Sequence, residues 1–252
     1  MESCLSGVSL RFAPRASPFP AQELLESELV RKIAFNRRTS WALALALALA
    51  GILLAPAAGS QVQPSFRSSV SPLSAAFRAQ MTSWQRGCPV PVSALRLVRV
   101  GYWGFDGRAH SGRLIVQRGY ARPVVKALRT LYNKRFPIRR MRLVEAYGSS
   151  DARSMAADNT SAFNCRGVAG SSSWSEHAYG RAIDINPLEN PEVRRGVVSP
   201  PGGRAYLDRR RWKKGMIHAG DSAVRAFEAV GWHWGGYWHS LQDYQHFSWN
   251  GR

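Results

Sequence analysis

His177, Asp184 and His246 supply two imidazoles and a carboxylate, and Asp243 adds a second carboxylate three residues before the last imidazole. Histidine nitrogen and aspartate oxygen are donors that zinc takes readily. A catalytic zinc site keeps three protein ligands and leaves one position open. One ion on His177, Asp184 and His246 matches that count and leaves the fourth position for water. Asp243 then becomes the candidate general base, since a cation and a positioned carboxylate together activate water near neutral pH. The competing reading of the His177–Asp184 pair is ordinary: a histidine in a loop and an aspartate binding backbone amides.

The spacing constrains the backbone. Fully extended, the seven steps from His177 to Asp184 would span about 23 Å at roughly 3.3 Å each. Ligands of one ion must converge within a few ångströms, so the chain has to turn. Gly180 lies in the gap and can take positive φ. Ala182-Ile183-Asp184-Ile185 reads as a short buried strand, stopped by Asn186-Pro187. Asp243 and His246 would point to opposite faces of a regular strand, so a turn between them is expected if both serve one site.

The residues Ser175, His177, Gly180, Ala182 and Asp184, followed by Asp243, His246 and Phe247, form the patterns Ser-x-His-x-x-Gly-x-Ala-x-Asp and Asp-x-x-His-Phe. This resembles the zinc D-alanyl-D-alanine carboxypeptidase and peptidoglycan endopeptidase family, which includes VanY-type carboxypeptidases and phage L-alanyl-D-glutamate endolysins. Residues 158–166 and 231–236 are similar to one bacterial branch of it, and the resemblance covers about residues 85 to 252. It implies a hedgehog/DD-peptidase type fold with one zinc ion on His177, Asp184 and His246, and with Asp243 as base. It implies a peptidoglycan stem peptide as substrate, cleaved as a D-alanyl-D-alanine carboxypeptidase or as an endopeptidase. The rival from another class is a zinc-containing wall-binding module without activity. The family's substrate arginine often follows a tyrosine upstream of the first histidine. Here that region reads Tyr147-Gly148-Ser149-Ser150, so Arg166 and Arg153 are the replacements, with Arg166 preferred. Ser175 and Trp238 are further candidate substrate contacts.

The 252 residues carry 35 Lys+Arg against 16 Asp+Glu, a net +19. Residues 1–58 hold six basic and four acidic residues, so the remainder still carries +17. Such a field attracts polyanions. Anionic cell-wall polymers and anionic membrane surfaces fit it, whereas nucleic acid is not expected because no nucleic-acid motif is present. Arg37 and Arg38, the uncharged run Trp41–Pro56 and the small residues after it form the n-region, h-region and cleavage zone of a signal peptide. The run is short for a spanning helix, which needs ~20 residues, although an uncleaved anchor stays open. A secreted or envelope location and a monomer are expected. Cys88 and Cys165 form an even pair in an exported chain, so a disulfide is expected, against the alternative that Cys165 ligates metal.

Three segments follow: an N-terminal extension with signal peptide at 1–58, a Ser-, Gln- and Pro-rich linker at 59–85 with a short helix around 73–84, and a catalytic domain at 86–252. Strands are predicted at 95–103, 112–117 and 141–147, with a turn at Phe105-Asp106-Gly107. Apolar residues at helical spacing predict helices over 123–134 and 221–230. The Pro-, Gly- and Arg-rich stretch 191–215 reads as a long loop near substrate. Together these give an α+β fold, a small mostly antiparallel sheet flanked by helices. The aromatics around His246 read as core, with one or two lining a cleft. His218, His233 and His239 read as surface groups or as supports for the ligands.

Overall fold

In a computed structural model, residues 64–252 are described, and they contain three small antiparallel sheets. The first joins β1 (Ser68–Pro72), β2 (Leu95–Trp103) and β3 (Ala109–Gln117) in that order. The second has the order β4-β9-β7, from β4 (Ala182–Asp184), β9 (His246–Ser248) and β7 (His233–Trp234). The third has the order β6-β5-β8, from β6 (Val197–Ser199), β5 (Glu192–Arg194) and β8 (Gln242–Asp243). Four α-helices accompany them: α1 (Ala75–Gln80), α2 (Ala121–Asn133), α3 (Asp151–Ala156) and α4 (Ser222–Glu228). The α+β expectation therefore holds, with the strands divided among three sheets. The expected signal peptide and its anchor alternative fall at 1–58, outside the described residues. Among the described residues, no helix is long and apolar enough to cross a membrane.

The main core follows from two patterns. On α2, Val124, Ala127, Leu128 and Leu131 recur at helical spacing and are all buried. They meet Val98, Val100, Leu114 and Val116, which alternate along β2 and β3. Burying each such side chain stabilises the fold by about 1.5–3 kcal/mol. The same core runs on through α4 to Ile183 of β4 and Phe247 of β9. Phe227 and Phe247 stack with ring centroids 4.3 Å apart, and neither is exposed. The residues beside the candidate ligands are thus anchored in the larger of the two apolar clusters among the described residues. Asp221 caps α4, its Oδ1 accepting from the amides of Ala223 and Val224 at 2.8 and 3.0 Å.

A second core lies beneath Leu95 and Ile115 and includes Leu73, Met81, Leu143, Phe163 and Cys165. It corrects the reading of 59–85 as a linker. From Ser68 onward this segment is sheet and core: β1 pairs with β2 over five residues, α1 follows, and Leu73 and Met81 are buried. The helix expected at 73–84 is only Ala75–Gln80, started by the Ser74 side chain accepting from the Phe77 amide. The strand expected over 141–147 is also replaced. Met141 forms a single bridge to Thr160, and Val144–Tyr147 turn as a 3-10 helix. Glu145 there accepts from the Ser83 hydroxyl at 2.5 Å, so local propensity yields to a tertiary bond. The stretch 191–215 is not one loop. Its first part is the β5–β6 hairpin, turning at Arg195 and Gly196, both at positive φ.

Candidate active site

His177 sits in a 3-10 turn (Glu176–Tyr179) that Ser175 caps, its hydroxyl accepting from the His177 amide at 3.3 Å. Gly180 ends the turn at φ 66. A Cβ at Gly180 would lie 2.7 Å from the Gln117 amide nitrogen, so this position excludes larger residues on steric as well as conformational grounds. The chain then enters β4, whose last residue is Asp184. On β9 the direct partner of Asp184 is His246, so their side chains leave the sheet on one face.

These three side chains converge. His177 Nε2 lies 3.1 Å from Asp184 Oδ2, His246 Nδ1 lies 3.0 Å from Asp184 Oδ1, and the two nitrogens are 3.2 Å apart. All three residues are buried. The outer ring nitrogens are already engaged: His177 Nδ1 meets the Ala162 carbonyl at 2.5 Å, and His246 Nε2 meets the Arg252 carbonyl at 3.0 Å. A carbonyl only accepts, so each outer nitrogen carries the proton. In the neutral imidazoles the inner nitrogens then turn lone pairs toward one another and the carboxylate, and either a cation or added protons can occupy that space. Such a set suits a cation, and one donor atom from each residue lies within 4.8 Å of the others. Two imidazoles with one carboxylate form a recognised three-ligand set for catalytic zinc.

The charges agree with this grouping. Burial would raise the Asp184 carboxyl, but the charge and hydrogen bonds of His177 and His246 outweigh it and hold it well below the usual carboxylate range. Burial would lower His177, but Asp184 outweighs it and raises the imidazole. Asp243 behaves in the opposite way. Burial pushes its carboxyl up to about 8, with His246 opposing and Asp184 and Glu192 adding to the rise. Its Oδ1 is buried and has no hydrogen-bond partner among the described residues.

Asp243 ends β8 and pairs across to Glu192 on β5, whereas His246 begins β9 in another sheet. The chain changes sheet between them at Tyr244-Gln245, which supplies the turn that the three-residue spacing requires. Gly235 permits this approach, since a Cβ there would lie 2.7 Å from the Asp243 carbonyl oxygen. His177, Asp184, Asp243 and His246 all line one cleft of about 1400 Å3. The β5–β6 hairpin and the 168–175 loop border the same cleft.

Arg166 lines it as well, with Nη2 3.0 Å from Asp151 Oδ2 and with a buried Nε that has no hydrogen-bond partner among the described residues. Arg153 instead donates to the Tyr147 and Gly148 carbonyls at 2.9 and 3.4 Å and does not line the cleft. Trp238 borders the site, its ring 5.3 Å from that of His246. Ser175, expected as a substrate contact, borders it too, yet its hydroxyl is already engaged in capping. Of the spare imidazoles, His239 lines the cleft, His233 is exposed on β7, and His218 stacks on Trp212 outside it. Cys88 and Cys165 form the expected disulfide, with Cα atoms 5.9 Å apart, which removes Cys165 as a metal ligand. The Ala162 and Arg252 carbonyls were not identified from sequence. Every residue carries such a group, so no residue type marks them.

No curated protein and no solved structure shows significant similarity to the chain. Residues 169–249 match a family model described as D-alanyl-D-alanine carboxypeptidase. That segment contains both motifs, all three converging side chains and Asp243. Over residues 169–249 the chain is therefore similar to the D-alanyl-D-alanine carboxypeptidase family, in the segment that holds the motifs resembling VanY-type enzymes.

Proposed function

We propose that this protein is an exported, zinc-dependent peptidase of the hedgehog/DD-peptidase type that removes the terminal D-alanine from peptidoglycan stem peptides. The observation that carries the reading is the convergence of His177, Asp184 and His246 in one cleft with Asp243, whose Oδ1 is buried and has no hydrogen-bond partner among the described residues. When bound, zinc would polarise the scissile carbonyl and acidify water. His177, Asp184 and His246 would hold it, and the Ala162 and Arg252 carbonyls would keep the two imidazoles oriented.

Asp243 takes a proton from the attacking water and later passes it to the leaving amine. Burial raises the carboxyl of Asp243, which favours its taking up a proton from the water. Arg166 reaches into the cleft with a guanidinium whose Nε is free to donate. It is placed to pair with a substrate carboxylate or with negative charge developing on the carbonyl oxygen. Trp238 offers an apolar wall beside His246.

A second reading, endopeptidase action within the stem, is favoured by the size of the cleft. At about 1400 Å3 it exceeds what a terminal dipeptide fills. Mass spectrometry of muropeptides after incubation with zinc-loaded and chelator-treated protein separates the two. Loss of one D-alanine in the zinc sample alone establishes the carboxypeptidase, and larger fragments establish the endopeptidase. No zinc-dependent product, with zinc still bound, leaves a wall-binding module.

A further inference from the structure

The peptidase reading uses the first part of the stretch 191–215, the hairpin beside the cleft, and leaves the second part unused. Trp212 is 71 % exposed, more than any other large apolar side chain among the described residues. One face of its indole lies against the His218 imidazole, with centroids 3.8 Å apart, so the other face meets solvent. Leu207 adds a second exposed apolar group. Around them Arg204, Arg210, Arg211, Lys213 and Lys214 are exposed. Asp208 is the single carboxylate from 204 to 214, against six basic residues. Arg210 and Arg211 both reach Asp208, at 3.2 Å each, so one acid serves two cations.

The segment is clamped in place. Arg209 turns inward and donates to the Glu189 carbonyl at 2.8 Å, to Asn190 Oδ1 at 3.1 Å and to the Ile217 carbonyl at 2.5 Å. Lys213 and Lys214 pin the ends through the Ala205 and Phe105 carbonyls at 2.8 and 2.6 Å. An indole exposed to water forgoes apolar burial, and nothing in the catalytic cleft recovers that loss. Neither the catalytic cleft nor the smaller groove beside β1 includes Trp212 or Leu207, and both side chains are exposed to solvent.

We propose that residues 204–214 form a docking surface for an anionic lipid membrane. Trp212 and Leu207 enter the headgroup boundary, and the flanking Arg210, Arg211 and Lys213 meet anionic headgroups. A tryptophan ringed by arginine and lysine suits that interface, where the indole bridges the apolar and hydrated layers. An acidic polymer would instead call for a groove to hold the chain. The net charge of +19 adds longer-range attraction. This inference does not depend on the peptidase reading.

The test is fluorine NMR of the full-length chain labelled with fluorotryptophan, with Trp212→Phe assigning the Trp212 resonance. The readout is local, so lipid contact elsewhere in the chain does not register. Mixed phosphatidylglycerol–phosphatidylcholine vesicles with a headgroup spin label should broaden Trp212 and spare buried Trp232. Pure phosphatidylcholine vesicles should leave both sharp. The double substitution Arg210→Glu, Arg211→Glu should raise the anionic lipid needed for half-maximal broadening about tenfold or more, since each basic residue near the surface contributes on the order of one decade or slightly less. No broadening of Trp212 overturns the proposal, as does equal broadening by neutral vesicles. A Trp212 shift caused by soluble polyphosphate but not by vesicles overturns it in favour of a polymer site.

Discussion

Breaking the Cys88–Cys165 disulfide tests how the second core supports the site. The bridge closes a loop across a sequence separation of 77 residues. In the chain-entropy model a loop of that length restricts the unfolded chain by about 15 cal/mol/K, or about 4.5 kcal/mol at 25 °C. For a domain of this size, that corresponds to roughly 9–18 °C in Tm. The native state should change little, because the segment around Cys165 is also held by its backbone. The Phe163 amide donates to Ile115 at 3.0 Å, the Asn164 amide to His177 at 3.2 Å and the Cys165 amide to Ser83 at 2.9 Å. Urea unfolding of the oxidised protein, the reduced protein and the Cys88→Ala, Cys165→Ala variant gives the comparison. The reduced protein keeps both sulfur atoms, so it separates the loop effect from the loss of side-chain volume. Both altered forms should lose about 3–5 kcal/mol, yet still bind zinc while folded. A loss under about 1 kcal/mol would refute the entropic argument. Loss of zinc binding in folded, reduced protein would show that the bridge shapes the native site, contrary to the backbone argument.

Three further outcomes are expected. Asp243→Asn should lower kcat by about 10²–10⁴-fold with zinc stoichiometry unchanged, because it removes the base and none of the ligands; steady-state kinetics with metal analysis checks both. Phe247→Ala should destabilise by about 3–5 kcal/mol, since an unexposed ring stacked on Phe227 is lost beside His246, and thermal unfolding measures it. Burial, reinforced by Asp158 and opposed by Arg139, pushes the Glu189 carboxyl from 4.5 up to about 7. The folded protein therefore holds that proton where the unfolded chain releases it. Its stabilising contribution is full below pH 4.5 and is lost as pH rises to about 7. Glu189→Gln should flatten this part of the stability curve, read as urea midpoints of the two proteins across that window.

The site was more legible in the sequence than the fold was. His177, Asp184 and His246 are uncommon donor types, and Gly180 between the first two announced the turn that its φ of 66 now accounts for. The helices α2 and α4 were legible because their apolar residues repeat at helical spacing. The disulfide followed from Cys88 and Cys165 being the two cysteines outside the N-terminal segment, which holds Cys4, in a chain read as exported. What stayed hidden depends on distant partners. Segment 68–72 has a polar composition and becomes a strand only because β2 offers an edge to pair with. Strands β5 and β6 are three residues each, too short for alternation to show. Residues 141–147 carry strand-like composition, but the hydrogen bond of Glu145 to Ser83 and the turn it supports prevail over it. The division of Asp243 and His246 between two sheets has no local signal, although their spacing demanded something of the kind.

The central claim is that His177, Asp184 and His246 hold one catalytic zinc ion. The direct measurement is a zinc titration of chelator-stripped full-length protein by calorimetry, with D-alanine release from a muropeptide followed on the same samples. The account predicts one zinc per chain and activity that rises in parallel with occupancy. His246→Ala should bind at least about tenfold more weakly and lose activity while remaining folded by circular dichroism. Undiminished zinc binding in His246→Ala, or full activity in the stripped protein, would contradict it.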